Sequence, residues 1–361
     1  MRVGIPKEIK NNESRVAITP SGVDSLIRGG HDVRIERGAG VNSAISDEAY
    51  RLAGATIIDD ADTLWGEAEL VVKVKEPIAA EYRHLRDDLT LFTYLHLAAD
   101  RPLTTALVNA GTTAIAYETV QLADRSLPLL QPMSEVAGRL SVVVGAHSLM
   151  RSERGRGTLL GGVAGTPKAN VVVIGGGVAG EHAVANALGL GAAVTVIDIA
   201  LPRLRALQVQ FGERIQTRPS NPYEIAEAVA GADLVIGSVL IPGASAPKLV
   251  TLEMVERMRA GSVLVDIAID QGGCFEGSRP TTHDDPTFAV ANSLYYCVAN
   301  MPGAVPETST RALTNATARY VDRIAGLGWD AAAAADPALA LGLNVRGGEI
   351  TNAGVAAAFA A

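Results

Sequence analysis

The residues with the clearest chemical meaning are three glycines, Gly175, Gly177 and Gly180, in the run Val171-Val172-Val173-Ile174-Gly175-Gly176-Gly177-Val178-Ala179-Gly180. An apolar, β-branched stretch feeds a G-x-G-x-x-G turn from which a helix starts, the layout that brings a backbone within reach of a pyrophosphate. Gly175 permits the tight turn, Gly177 lets the backbone approach the phosphates, and Gly180 lets helix and strand pack closely. The helix beginning at Val178 offers an anion its free N–H groups and a partial positive charge. Asp198 closes the next apolar run, 18 residues beyond Gly180 (198 − 180). There a carboxylate accepts both adenosine ribose hydroxyls and repels a 2′-phosphate. The turn thus predicts a nicotinamide or flavin dinucleotide, and Asp198 favours NAD over NADP. Arg203 nearby weakens that preference slightly and is counted with the cofactor contacts.

Four further residues could do chemistry, and position alone leaves each with two readings. Arg15 reads as a solvated surface arginine or an anion fork. Lys75 ends an apolar run and reads as the ion-pair partner of Glu76 or another surface carboxylate, or as a cation at the mouth of a sheet. His96 follows another such run and reads as a satisfied core residue or as a proton shuttle. Asp270, ahead of Gly272-Gly273, reads as a turn cap or as a group on the rim where ligands meet.

The elements that must position these residues alternate. Strand patterns fall at 2–5, 33–36, 70–74, 89–93 and 113–116, with helices at 21–29, 79–85 and 102–110, the first opened by Thr19-Pro20 through N-cap and first-turn proline chemistry. Pro128 and Pro132 mark a boundary, followed by a long helix over 134–150 rich in small residues and a glycine-rich, mobile-looking segment over 154–165. After the glycine turn, strand patterns resume at 194–198, 234–237, 263–267 and 288–291, and a helix over 308–325 leads into an Ala-rich C-terminal stretch. Alternation of this kind predicts parallel sheets covered by helices on both faces. The long helices flanking the central part predict two doubly wound α/β domains. A Rossmann domain over 131–305 is inserted in a second domain formed by 1–130 and 306–361, with a cleft between them.

Composition narrows the classes. The 361 residues are 48% hydrophobic and 19% charged, with a mean hydropathy of +0.21, enough to bury a sizeable core and too ordered in composition for disorder. A net charge of −8 without long basic runs argues against nucleic acid. No apolar run approaches the ~18 residues of a membrane span, and no signal-like segment opens the chain. The two cysteines, Cys274 and Cys297, read as buried reduced thiols of a cytoplasmic protein, and the six scattered histidines form no ligand pair, so no metal is expected.

Several strings go further. Gly4-Ile5-Pro6-Lys7-Glu8, Asn11-Asn12-Glu13 and Arg15-Val16-Ala17-Ile18-Thr19-Pro20 resemble the alanine dehydrogenases and, equally, the related NAD-binding subunits of proton-translocating transhydrogenases. Lys73-Val74-Lys75-Glu76-Pro77, Phe92-Thr93-Tyr94-Leu95-His96-Leu97, Pro132-Met133-Ser134-Glu135-Val136-Ala137-Gly138-Arg139, Asp266-Ile267-Ala268-Ile269-Asp270-Gln271-Gly272-Gly273 and Val298-Ala299-Asn300-Met301-Pro302 look like the dehydrogenase branch. The resemblance covers nearly the whole chain in matching order. Gly176 departs harmlessly from it, standing where alanine or another small residue is common.

The resemblance implies NAD-dependent, reversible oxidative deamination of L-alanine to pyruvate and ammonia, with a transhydrogenase hydride-transfer subunit as the alternative. It implies His96 and Asp270 as the catalytic pair. Arg15 and Lys75 would hold the substrate carboxylate and carbonyl oxygen, and Tyr94, Met133 and Asn300 would shape a small pocket. Ser134, Ser220, Val239, Leu240 and Arg279 match family positions that contact the cofactor. The stretches Ile267-Ala268-Ile269-Asp270 and Val298-Ala299-Asn300-Met301 would contact it too. It also implies a homo-oligomer, a hexamer in this family, for which the small-residue helix over 134–150 would suit a subunit contact.

Overall fold

A computed structural model describes residues 1–239 and 246–360. The chain divides into two compact units, Met1–Met133 with Gly303–Ala361, and Ser134–Pro302. The first unit opens with parallel strands β1 (Arg2–Ile5), β2 (Asp32–Glu36), β3 (Thr56–Ile58), β4 (Leu70–Val72), β5 (Thr90–Thr93) and β6 (Thr113–Ala116). The second carries β7 (Asn170–Ile174), β8 (Ala193–Asp198), β9 (Ile215–Pro219), β10 (Leu234–Gly237), β11 (Val263–Asp266), β12 (Thr287–Val290) and β13 (Ser293–Tyr296). The chain then returns to the first unit with β14 (Leu343–Arg346) and β15 (Glu349–Ile350).

The sheet orders are β15-β14-β6-β5-β4-β1-β2-β3 and β12-β13-β11-β10-β7-β8-β9. Both are parallel except at one edge, where β14, β15 and β12 run antiparallel to their neighbours. Both units are therefore α/β, as the strand–helix alternation implied. In each the strand order reverses beside the first strand, between β1 and β4 in one and between β7 and β10 in the other. Such a switch point leaves a crevice beyond the carboxyl ends of the strands, where α/β sheets bind ligands.

Burial explains the apolar runs. Along β7, Val171 and Val173 join one core cluster while Val172 and Ile174 join another, so both faces of the strand are covered. The helices Val178–Gly189 and Leu201–Phe211 supply Ala183, Val184, Leu204 and Leu207 to the first cluster, and Pro222–Ala230 supplies Ile225 and Val229 to the second. In the other unit Leu64 and Trp65 of Ala61–Glu67 and Leu103 and Leu107 of Arg101–Ala110 pack with Val71 and Leu91.

Some local expectations are corrected. Thr19 is the N-cap of Pro20–Arg28, but its side chain makes no capping bond; proline at the first turn starts that helix alone. The stretch expected as a helix over 79–85 is a 3-10 helix, Ala79–His84, whose Glu81 accepts the Ile78 N–H at 2.9 Å. The long C-terminal helix runs Pro306–Ala335, broken at Gly328 with φ 73°. The glycine-rich stretch over 154–165 is fastened: the Arg156 N–H donates to Gly261 O at 3.0 Å, Gly157 N–H donates to Leu149 O at 2.8 Å, and Arg156 pairs with Asp233 at 3.2 Å. Within the helix Gln131–Ser148, a Cβ at Gly138 would collide with Ala179 O and one at Gly145 with the Leu234 side chain. Two of the small residues offered for a subunit contact are thus used inside the unit.

Cys274 and Cys297 are free, fully buried and share one core cluster. Burial pushes the Cys297 thiol up to about 12, and burial with the neighbouring Asp266 charge pushes that of Cys274 well above the usual thiol range. Neither thiol is expected to react with an aromatic disulfide reagent at about pH 8 until the protein is unfolded. A stoichiometric reaction of the native protein would contradict this burial.

Candidate active site

At the switch point of the first sheet, the segment after β1 brings Glu8, Glu13 and Arg15 beside the segments after β4 and β5. Arg15 is buried, which removes the reading of a solvated surface arginine. Its Nε donates to Glu13 Oε1 at 2.7 Å, a terminal nitrogen pairs with Glu13 Oε2, and the other lies 3.0 Å from the Met133 sulfur. Burial alone would lower the Arg15 pKa, but the Glu13 hydrogen bond and charge more than offset it, so the guanidinium stays charged.

Lys75 lies three residues past β4 and is half-buried. The Glu76 partner expected for it is taken by Lys10, and among the described residues the Lys75 ammonium has no ion pair. Its charge is nonetheless felt: burial would raise the Glu76 carboxyl, but Lys75, Lys10 and His96 together hold it below its ordinary value. Beneath this loop sits a fully buried Lys73, bonded to Glu8 at 3.1 Å and Glu81 at 2.8 Å. Glu8 also accepts the Val74 N–H at 2.6 Å and the Lys75 N–H at 3.4 Å.

Tyr94 is buried, with its hydroxyl donating to Leu129 O at 2.5 Å and its ring edge-on to Tyr117 at 5.0 Å. Burial raises its phenol well above the ordinary range. The imidazole of His96 stacks on the same ring at 5.9 Å and an interplanar angle of 10°. His96 itself is exposed, so it is not a core histidine. Arg15 with Met133 and Tyr94 with His96 thus form two contacting pairs, the Arg15 charge is felt at the Tyr94 phenol, and Lys75 and His96 both act on Glu76.

In the second unit the glycine turn follows β7. Gly175 has φ +99°, a value only glycine adopts readily, and donates its N–H to Ile197 O at 2.8 Å. A Cβ at Gly180 would collide with Gly175 O, whereas one at Gly177 would meet nothing within 4 Å. The first is a packing requirement and the second an open approach. Asp198 ends β8; its carboxylate accepts the Gly176 N–H at 2.6 Å and the Ala200 N–H at 2.7 Å, and its carbonyl accepts the Ser220 N–H at 3.0 Å. Arg203 bonds Gly176 O and pairs with Glu181. Ser238 closes the other side, its hydroxyl donating to Ile174 O at 3.0 Å and Gly175 O at 2.8 Å, and Val239 follows it. Leu240 lies outside the described residues.

Beyond β11, Ile267, Ala268, Ile269 and Asp270 form one 3-10 helix, with Asp270 exposed on it. The turn hangs on buried Asp266, which accepts N–H bonds from Ala268 at 3.2 Å, Cys274 at 3.0 Å and Phe275 at 3.3 Å, and the Ser278 hydroxyl at 2.6 Å. Burial raises the Asp266 carboxyl despite these bonds. Val298 and Met301 are buried, Ala299 and Asn300 half-buried, and Asn300 has φ +58°. Arg279 stacks over the Phe288 ring at 4.2 Å, and Ser134 lies half-buried at the start of the second unit. Sequence reasoning passed over Glu8, Glu13, Lys73, Glu81, Glu118, Ser238 and Asp266, all partners of backbone or of another charge. A lysine inside the apolar run Val71-Val72-Lys73-Val74 was the one available signal, since a cation there requires buried partners.

The second sheet's order, with a glycine turn at the switch strand and an acidic residue ending the next, defines an α/β protein of the Rossmann type. Residues 4–137 match the family described as "Alanine dehydrogenase/PNT, N-terminal domain" and residues 141–353 its C-terminal counterpart. The chain belongs to the alanine dehydrogenase/PNT family. It is 62% identical to an alanine dehydrogenase of Mycolicibacterium smegmatis over 356 residues, covering 99% of this chain and 96% of that protein. A solved L-alanine dehydrogenase superposes with a TM-score of 0.97 at 52% identity, covering 100% of this chain and 99% of the other. A Sinorhizobium meliloti transhydrogenase gives 0.83 at 27%, covering 98% and 99%. Among the described residues no helix is long and apolar enough to cross a membrane.

The two glycines separate packing from ligand approach. Gly180→Ala is expected to destabilise the fold by about 1–3 kcal/mol through overpacking, and Gly177→Ala by no more than about 0.5 kcal/mol. Denaturant unfolding of the ligand-free protein checks this, and equal losses would contradict it.

Proposed function

We propose that this chain is an NAD-dependent L-alanine dehydrogenase, converting L-alanine reversibly to pyruvate and ammonia. The observation that carries the reading is the Lys75 ammonium, without an ion pair among the described residues, set on the same strand-end rim as buried Arg15 and exposed His96. A small substrate with a carboxylate and a developing carbonyl oxygen needs such a set, and a subunit that only passes hydride between nicotinamides does not. The higher identity to alanine dehydrogenases than to the transhydrogenase supports the same choice.

The roles follow from the chemistry. Arg15, oriented by Glu13, pairs with the substrate carboxylate, and Lys75 shares that charge and polarises the carbonyl oxygen. His96 moves the proton between water and the carbinolamine oxygen. Asp270 orients the amine and assists proton handling. Tyr94 and Met133 limit the pocket to a methyl-sized side chain, and Asn300 is assigned as a further substrate contact.

The glycine turn fits a dinucleotide. Gly177 leaves open space for a pyrophosphate, the N-terminus at Val178 faces it, and each Asp198 oxygen keeps a lone pair for a ribose hydroxyl. Gly175, Gly180, Arg203, Ser134, Ser220, Val239, Leu240 and Arg279 complete the cofactor contacts, with the stretches 267–270 and 298–301. When bound, NAD supplies the acceptor for the hydride leaving Cα.

The direct test adds L-alanine and NAD at alkaline pH and follows nicotinamide reduction. Alanine-dependent reduction is expected, and activity recovered only with membrane partners would sink the reading. His96→Ala should lower kcat by about a hundredfold to ten-thousandfold while leaving NADH affinity nearly intact; substantial residual turnover would reject its role. Asp198→Ala should weaken NAD and narrow the preference over NADP, and an unchanged cofactor ratio would contradict the ribose assignment.

A further inference from the structure

His96 stands in a conformation that L residues avoid, φ 52° and ψ 34°, where Cβ crowds the following carbonyl. Its side chain is exposed, and among the described residues its ring nitrogens make no hydrogen bond. Neither burial nor a ring partner therefore fixes where the imidazole points. What holds it is local: the Tyr94 ring on one face and the backbone of its own turn.

That backbone is gripped from the neighbouring strand. Thr93 and Ala116 pair at the ends of β5 and β6, so the 3-10 turn Tyr117–Thr119 lies beside the turn bearing His96. The Glu118 carboxylate accepts the His96 N–H at 2.7 Å through Oε1, and the Leu95 N–H at 3.2 Å and 3.3 Å through Oε1 and Oε2. Charge-assisted bonds of this kind are stronger than neutral ones and set a backbone angle as well as a distance. On the other side the His96 carbonyl accepts the Ala99 N–H at 3.0 Å, so the residue is held at both its amide and its carbonyl.

We propose that Glu118 is a positioning residue for His96: its carboxylate holds the left-handed turn that aims the imidazole at the reacting oxygen. The inference rests on His96 being the proton shuttle of the reading above and deepens it. Glu118 touches neither substrate nor cofactor in this role. It acts through geometry, so any acceptor of the same length in the same place should serve.

Steady-state kinetics of alanine oxidation and pyruvate amination on the wild type, Glu118→Gln and Glu118→Met test this. Gln keeps an acceptor oxygen at the same reach, and Met keeps the bulk without it. The Met variant should lose about tenfold to a hundredfold in kcat, the scale of a misplaced catalytic group. Its KM values and NADH affinity should stay within about twofold, and Gln should recover most of kcat. Wild-type kcat in the Met variant overturns the proposal. Equal losses in Gln and Met overturn it by assigning the effect to charge, and a change in KM alone overturns it by marking substrate contact. Should the Met variant fail to fold by circular dichroism, Glu118→Ala replaces it with the same expectations. A wild type without alanine turnover would overturn the parent reading and this one together; an active wild type with any of those three patterns overturns this one alone.

Discussion

The site depends on carboxylates that accept the backbone N–H groups left over where parallel strands end. A strand that runs out into a crevice loses its ladder partner while the chain is still only partly solvated, and those donors must be satisfied. Glu8 takes Val74, Glu118 takes Leu95 and His96, Asp198 takes Gly176 and Ala200, and Asp266 takes Ala268, Cys274 and Phe275. Each bond fixes a turn that carries a candidate ligand contact one or a few residues on. Ionised acceptors suit the task because they bind two or three donors at once and more strongly than a neutral oxygen.

The arrangement has an electrostatic cost, greatest under Lys75. Burial pushes the Glu8 carboxyl up, against the pull of Lys73, and Lys73 stays charged because Glu8 and Glu81 outweigh its own burial. Removing one partner from such a buried set leaves a charge uncompensated, at about 3–5 kcal/mol. The network therefore leaves the turn little freedom to sample other conformations, and the Lys75 ammonium projects from a backbone that is already fixed. Glu13 does the same for Arg15, orienting the guanidinium before any ligand arrives.

The sequence reveals the parts of this that are local. The glycine turn and Asp198 are legible because turn, helix start and acid occupy fixed offsets within one βαβ unit. Most buried strands are legible as apolar runs, but β13, buried along its whole length, is not among the patterns read. Among the edge strands β12 is legible, whereas β9, reading Ile-Gln-Thr-Arg-Pro, has no buried residue and so lacks the pattern, and the short hairpin β14–β15 interrupts its apolar residues with Asn344, Arg346 and Glu349. The supporting carboxylates are hidden for another reason. Lys73 meets Glu8 across 65 residues, and His96 meets Glu118 across 22, contacts that exist only once β1 pairs with β4 and β5 with β6. Its place at the end of an apolar run and the family resemblance made Lys75 a candidate, but only the fold shows Glu76 pairing with Lys10, which leaves the Lys75 ammonium without an ion pair among the described residues.

Amide hydrogen exchange resolved at Val74, His96 and Gly176 in the ligand-free protein tests the carboxylate support most directly. Slow exchange at all three, comparable with the strands they follow, is expected if the carboxylates hold these turns. Exchange at the rate of an open loop would contradict it.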